Sequence, residues 1–299
     1  MNLKKMPNLY GEKVPARKPN WLKIRLHKSD AFAETARIVQ EHSLHTICSS
    51  GRCPNKSECW SRHTATFMIM GDVCTRGCRF CATKTGVPLP LNPDEPQRVA
   101  ESVDLMRLRY VVVTSVTRDD LSDGGAEHWA KTVEAIRAKN PSTTIELLIS
   151  DLDARKDLLE VVAASKPDII GHNIETVERL TPTVRAKATY RTSLATLATL
   201  AEMGVTTKSG LMVGLGESEE EVEQTLKELR EAGVRLLTIG QYLQPSEKQV
   251  PVVEYITPEQ FERYREMALR MGFDYCASGP LVRSSYLAEE AWQAVSGRE

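Results

Sequence analysis

Six short apolar runs alternate along the chain with six stretches of helical periodicity, and this alternation constrains the fold more than any other feature. The runs lie at 66–71 (TFMIMG), 110–116 (YVVVTSV), 144–150 (TIELLIS), 168–174 (DIIGHNI), 206–213 and 236–243 (LLTIGQYL). Apolar residues recur at helical spacing in the stretches that follow them. These are Val99, Val103 and Met106; Trp129, Val133 and Ile136; Leu158 and Val162; Leu194, Leu197 and Ala201; Val222, Leu226 and Leu229; and Phe261, Tyr264, Ala268 and Met271. Asn140-Pro141, Gly204, Gly233 and Gly272 stop four of these helices. Ser218 and Glu221 form an S-x-x-E capping box, and Thr257 with Gln260 forms a T-x-x-Q box with Pro258 in the first turn. Alternation of this kind predicts a parallel sheet with helices outside. Six units fall short of the eight that close a full barrel, so an α/β partial (β/α)6 TIM-like barrel, open on one side, is expected. A doubly wound open sheet is the alternative on pattern alone. In both, chemistry belongs at the C-terminal ends of the strands.

The cysteines carry the chemical information. Seven in 299 residues are too few for a disulfide scaffold. Six lie between Cys48 and Cys81, and Cys276 stands alone, as a small buried hydrophobe would. Cys74, Cys78 and Cys81 form C-x3-C-x2-C on the loop after the first strand, and Cys48, Cys53 and Cys59 form C-x4-C-x5-C before it. A structural zinc site wants four ligands, usually from paired C-x2-C knuckles. Here each set supplies three, which suits an iron–sulfur cubane with three irons held by thiolate and the fourth open. Zinc held by four of the six, with His45 or His63 assisting, remains the competing reading. Otherwise His42, His45 and His63 read as structural or solvated.

Composition narrows the class. Hydrophobic residues at 41% and charged residues at 26% are ordinary for a globular chain and exclude wholesale disorder. A net charge of −1 gives no basic surplus for nucleic acid. No apolar run approaches the roughly 18 residues of a membrane span. The first 28 residues hold eight Lys or Arg and one acid, Glu12, but lack a secretory apolar core and are broken by Pro7, Pro15 and Pro19. A cytoplasmic, reducing compartment is therefore expected.

The C-x3-C-x2-C loop at the end of a first strand resembles the signature of the radical S-adenosylmethionine (SAM) superfamily. With C-x4-C-x5-C upstream, the resemblance narrows to the lipoyl synthase family. Residues 111–129 (VVVTSVTRDDLSDGGAEHW), 172–177 (HNIETV), 208–217 (KSGLMVGLGE) and 279–288 (GPLVRSSYLA) are similar to that family in order and spacing, and the resemblance runs from about Lys18 to Ala288. It implies a radical SAM partial barrel over 65–272, an N-terminal extension over 1–64 carrying the first cysteine set, and a C-terminal extension over 273–299. It further implies that Cys74, Cys78 and Cys81 hold a [4Fe-4S] cluster whose open iron binds SAM. Cys48, Cys53 and Cys59, with Ser285 as fourth ligand, would hold an auxiliary [4Fe-4S] cluster.

The implied activity is insertion of two sulfur atoms, at C6 and C8 of an octanoyl group on a carrier-domain lysine, with the auxiliary cluster as sacrificial donor. Implied SAM contacts are Gly124, Gly125, Asn173, Glu175, Arg191, Gly214 and Gly216, and no separate acid or base is implied. Implied partners are the octanoylated carrier domains of 2-oxoacid dehydrogenase E2 subunits and the glycine cleavage H protein. A low-potential donor, ferredoxin or flavodoxin, and an iron–sulfur cluster carrier complete the set, with no nucleic acid, no membrane and a monomeric enzyme. The basic arm at 1–28 would help dock an acidic carrier domain. A methylthiotransferase also uses two clusters, but it spaces its first cysteines more widely and usually adds a C-terminal RNA-binding barrel. A non-catalytic iron–sulfur or zinc protein is the alternative from another class.

Overall fold

The computed structural model describes residues 17–24, 29–286 and 288–297. The docking role expected of the arm at 1–28 therefore falls, apart from 17–24, outside the described residues. Helix α1 (Asp30–Glu41) precedes strand β1 (His45–Thr46) and helices α2 (Ile47–Ser50) and α3 (Lys56–Ser61). Strand β2 (Thr66–Ile69) and a two-stranded ribbon of β3 (Val73–Cys74) and β4 (Lys84–Thr85) follow. The chain then alternates through α4 (Glu95–Leu105), β5 (Tyr110–Ser115), α5 (Ala126–Lys139), β6 (Thr144–Leu148), α6 (Lys156–Ala164) and β7 (Ile169–Gly171). It continues with α7 (Thr181–Val184), α8 (Tyr190–Glu202), β8 (Thr207–Val213), α9 (Glu219–Glu231), β9 (Leu236–Gln241), α10 (Pro258–Arg270), β10 (Tyr275–Gly279) and α11 (Ala288–Ser296). Among the described residues no helix is long and apolar enough to cross a membrane.

The main sheet runs β1-β2-β5-β6-β7-β8-β9-β10, with β1 antiparallel to β2 and every other pair parallel. Strand order follows chain order without reversal. A doubly wound sheet reverses at a switch point, so that alternative is excluded and the fold is an open, singly wound partial barrel. One expectation is corrected. The parallel strands number seven, because β10 pairs with β9 from Tyr275 to Gly279. Its sequence, YCASG, offers small residues and little β-branching, so its strand character comes from the ladder to β9 rather than from propensity.

Helix faces follow the periodicity except on α8 and at Met271, which is half-buried at the end of α10. Trp129, Val133 and Ile136 of α5 are buried, as are Val222, Leu226 and Leu229 of α9 and Phe261, Tyr264 and Ala268 of α10. On α8 the inner line is Tyr190, Ser193, Thr196, Leu197 and Leu200, and Leu194 and Ala201 are only half-buried. The Ser218–Glu221 box closes in both directions. The Thr257 box closes in one: Thr257 accepts from Gln260 N, while the Gln260 side-chain oxygen is taken by Arg263.

Alternate side chains of the parallel strands face the barrel interior. At its lower end the Lys208 ammonium bonds both oxygens of Glu146 at 2.8 and 2.9 Å, and Tyr110 donates to the same carboxylate. Beneath them Ala288, Trp292 and Val295 of α11 pack with Tyr110, Ile169, Leu236 and Tyr275. Residues 280–286, which join β10 to α11, form a strap across the opening between the last and first parallel strands. It leaves β10 at Gly279 and reaches Thr66 of β2 at Ser285. On its way the Asn55 amide donates to Leu281 O at 2.7 Å, the Asn173 amide to Ser284 at 2.8 Å, and the Tyr286 hydroxyl to Glu58 at 3.1 Å. The strap lies so close to β9 that a Cβ on Gly240 would come within 2.2 Å of Val282 O. Gly240→Ala is expected to push the strap off the sheet, raising amide exchange across 280–286 and lowering unfolding free energy by about 1–3 kcal/mol. Hydrogen exchange with urea unfolding measures both.

Candidate functional site

One cavity of about 510 Å³ opens at the C-terminal ends of the strands. Its floor and walls include Met68 of β2, Thr114 and Ser115 of β5, Leu148 of β6, Gly210 to Met212 of β8, and Thr238 and Gly240 of β9. Cys48, Cys53, Cys74, Cys78 and Cys81 all line it, together with Ser284 and Ser285 of the strap. Cysteines of the two sets, separate in sequence, thus line one open cavity. Cys59 stands behind Cys48 and Cys53. Burial pushes its thiol up to about 12, and the nearby thiols of Cys48 and Cys53 add to the shift. All seven cysteines are free thiols. Among the described residues no three His, Cys, Asp or Glu side chains converge as ligands of a single ion. A cubane needs no such convergence, because each thiolate takes a different iron.

The loop of the second set is shaped to present sulfur. Backbone N–H groups of Thr117 and Arg76 point at Cys74 Sγ at 3.3 and 3.4 Å, and that of Thr83 at Cys81 Sγ at 3.5 Å. The Thr83 donor favours the Cys81 thiolate. Burial pushes the Cys78 and Cys81 thiols up, so an unpaired thiolate is disfavoured there until a cation arrives. Inside the loop, the Arg76 guanidinium is buried and takes both oxygens of Asp119 at 2.8 Å and Asp151 Oδ1 at 2.8 Å. Lys187 adds bonds to Asp119 and Asp153. The Arg76 fork, followed by Lys187, holds the Asp119 carboxyl down at about 2. The cysteine loop is thereby tied to the loops that follow β5 and β6.

Asn173, Glu175, Arg185 and His172 line the same cavity, and Arg185 and Glu175 lie close enough to Cys78 for their charges to act on its thiol. Glu175 is half-buried with a φ of +68°, a strained setting for a residue other than glycine. Burial pushes its carboxyl up, while the Arg185 charge and the Asn173 amide oppose the shift. Arg185 donates to Asn173 O and Ser193 Oγ, yet its Nε is buried without a partner among the described residues. His172 is held neutral by burial and by Arg185, down at about 4. A half-buried carboxylate, an amide and a guanidinium with a spare donor together match a zwitterionic ligand carrying ammonium and carboxylate groups. On the other side Arg283 faces Cys53 and pairs with no carboxylate among the described residues. A cation there suits an anionic cluster. The side chains present therefore fit both implied groups.

The structure brings most of the expected residues to this cavity and leaves others away from it. Asn173, Glu175, Ser285 and five of the six clustered cysteines line the cavity. Arg191 does not: it is exposed at the start of α8 and pairs with Glu178 and Glu228. Arg185, six residues earlier, is the arginine that faces inward. Gly124 and Gly125 open α5 and pack against Leu152 and Met70 rather than lining the cavity. Gly214 has a φ of +97°, and a Cβ there would meet Gln241 Nε2 at 2.1 Å, so it fits the β8–α9 turn behind the cavity wall, with Gly216 beside it. Arg76 lies inside the cysteine motif, so its place in the sequence was the available signal. Arg185 had no local signal.

The radical SAM superfamily model matches residues 68–240. A lipoyl synthase of Bacteroides fragilis is 56% identical over 280 residues, 94% of this chain and 97% of the relative. One from Porphyromonas gingivalis is 58% identical over 274 residues, 91% and 97% of the two chains, and one from Treponema denticola is 50% identical over 274 residues, 92% and 94%. Among solved structures, methylornithine synthase superposes with a TM-score of 0.56 at 12% identity, covering 84% of each chain. HydG, a maturase of the [FeFe]-hydrogenase, gives 0.55 at 14%, covering 83% of this chain and 63% of that one. These two likenesses bear on the fold.

Arg76→Met is expected to cost about 3–5 kcal/mol, because Asp151 would be left buried and unpaired. Arg76→Lys should fall between the two, keeping the charge and losing the two-pronged contact with Asp119. Urea unfolding of the metal-free chain measures this, and an unchanged midpoint for Arg76→Met would show that the network does not hold the loop.

Proposed function

The chain belongs to the lipoyl synthase family of the radical SAM superfamily, and from that premise we propose that it inserts sulfur at C6 and C8 of an octanoyl group on a lysine of a lipoyl-carrier domain. It is a radical SAM sulfur-inserting enzyme using iron–sulfur chemistry. The finer reading is supported by one observation above all: cysteines of both sets, five of the six, and Ser285 line a single cavity of about 510 Å³. Cys74, Cys78 and Cys81 would hold a [4Fe-4S] cluster with an iron open to SAM. Cys48, Cys53, Cys59 and Ser285 would hold the auxiliary cluster, which is spent as the sulfur substrate. When bound, the first cluster supplies the electron that turns SAM into a hydrogen-abstracting radical, a reaction needed because an unactivated methylene has no acidic proton.

The protein's own part is binding and exclusion. Glu175 and Asn173 are suited to the ammonium and ribose of SAM, and Arg185 Nε to its carboxylate. Met68, Leu148, Leu211, Met212 and Leu243 give the cavity the apolar lining an octanoyl chain requires. Every proposed ligand comes from one chain, so a monomer suffices. The lysine must arrive on a mobile carrier, the E2 lipoyl domains or the glycine cleavage H protein. The electron would come from a ferredoxin or flavodoxin, and an iron–sulfur carrier would restore the spent cluster. Free thiols throughout suit the reducing cytoplasm.

The anaerobically reconstituted chain is expected to bind about eight irons and as many sulfides. With SAM, a low-potential reductant and an octanoyl-lysine peptide, it should release 5′-deoxyadenosine and yield a peptide heavier by two sulfurs. Nucleoside release with no sulfur gained would overturn the substrate reading. Ser285→Ala should abolish dithiolation, whereas Cys276→Ala should keep the full iron content, because Cys276 is a buried strand residue away from both sets.

A further inference from the structure

Thr66 opens β2 on the face that lines the cavity, the same face as Met68. It is 4% exposed, and the three residues after it, Phe67, Met68 and Ile69, are apolar and buried. A hydroxyl in such a place costs free energy unless it is bonded. Valine has nearly the same shape and would serve the strand as well. The threonine hydroxyl donates to Ser285 Oγ at 2.8 Å.

That bond is not needed to hold the strap. Three others already do so: Asn55 to Leu281 O, Asn173 to Ser284, and Tyr286 to Glu58. What Thr66 adds acts on a single atom, the serine oxygen. We infer that Thr66 is a positioning residue for Ser285, aiming that oxygen at the auxiliary cluster and stabilising it as the ligating alkoxide. The inference rests on the proposal that Ser285 is the fourth ligand. On ligation the serine proton leaves to solvent and no electron moves. The alkoxide keeps the Thr66 O–H as its donor, which reduces its basicity and fixes its direction. Partners of this kind behind a metal ligand are commonly worth about 10- to 100-fold in metal affinity.

The test isolates the auxiliary site and does not use turnover. In the full chain with Cys74, Cys78 and Cys81 all replaced by alanine, iron release to a chelator is followed anaerobically. Thr66→Val and Thr66→Ala, which both lack the donor, should release iron about tenfold faster than the parent. Thr66→Ser should stay within about twofold, and Ser285→Ala should be at least as fast as Thr66→Val. Fast release by Thr66→Val and Thr66→Ser alike would assign the effect to packing and overturn the inference. Parent-like release by Thr66→Val with fast release by Ser285→Ala would remove Thr66 and leave the serine reading standing. Parent-like release by Ser285→Ala would remove both.

Discussion

The first and last parallel strands, β2 and β10, do not pair with each other, and the strap at 280–286 spans the opening between them. It leaves β10 at Gly279, crosses the interior past Asn173, and meets β2 at Thr66. The outer edge of β2 is already paired with β1, and the strap meets β2 through side chains alone. The strap also lines the cavity, so bridging the opening and completing the site are one event. The side chain missing from Gly240 makes the crossing possible, since any Cβ there would strike the strap backbone. Helix α11, continuing from the strap, seals the lower end over Tyr110, Ile169 and Leu236.

The upper end is polar, and the polar groups are organised by burial. Arg76 collects Asp119, Asp151 and Asp153 around the cysteine loop, so a cation within the motif is neutralised by loops from two neighbouring strands. Strain gathers in the same region. Leu152, Asp153 and Ala154 have φ of +44°, +53° and +53°, and Glu175 has +68°. Left-handed backbone at residues other than glycine costs about 1–3 kcal/mol each. At 152–154 the offset is visible, because this turn presents Asp153 beside Asp151 to Arg76. At Glu175 it lies in the backbone bonds to β8, from Glu175 N to Gly210 O and from Met212 N to Glu175 O.

The main strands and most helix faces were legible because each depends on local periodicity. Val111 to Val113, or Trp129 with Val133 and Ile136, report burial without knowledge of the rest of the chain. β10 was not legible, since YCASG carries no strand pattern apart from its ladder to β9. The outward turn of Arg191 was illegible for a related reason. Its partners, Glu178 and Glu228, lie 13 and 37 residues away, and only the packing of α8 against its neighbours brings them together. The cysteine sets were legible as sets, being local, but their convergence on one cavity required the fold.

The same contrast between local and distant contributions has a physical consequence for the proposed auxiliary site. Cys48, Cys53 and Cys59 come from one short segment, held by its own turns and by the packing of Trp60 against Phe32. Ser285 arrives from the far end of the chain, 219 residues beyond Thr66, the residue it meets. A ligand supplied from within the segment could leave only by distorting that segment. One supplied by the strap can leave while the three thiols stay in place, because the strap is separately anchored at Leu281, Ser284 and Tyr286. On the proposed function, a cluster dismantled for its sulfur would need such an asymmetry: three ligands bound to a local frame, and a fourth whose departure would leave the strap's other anchors in place.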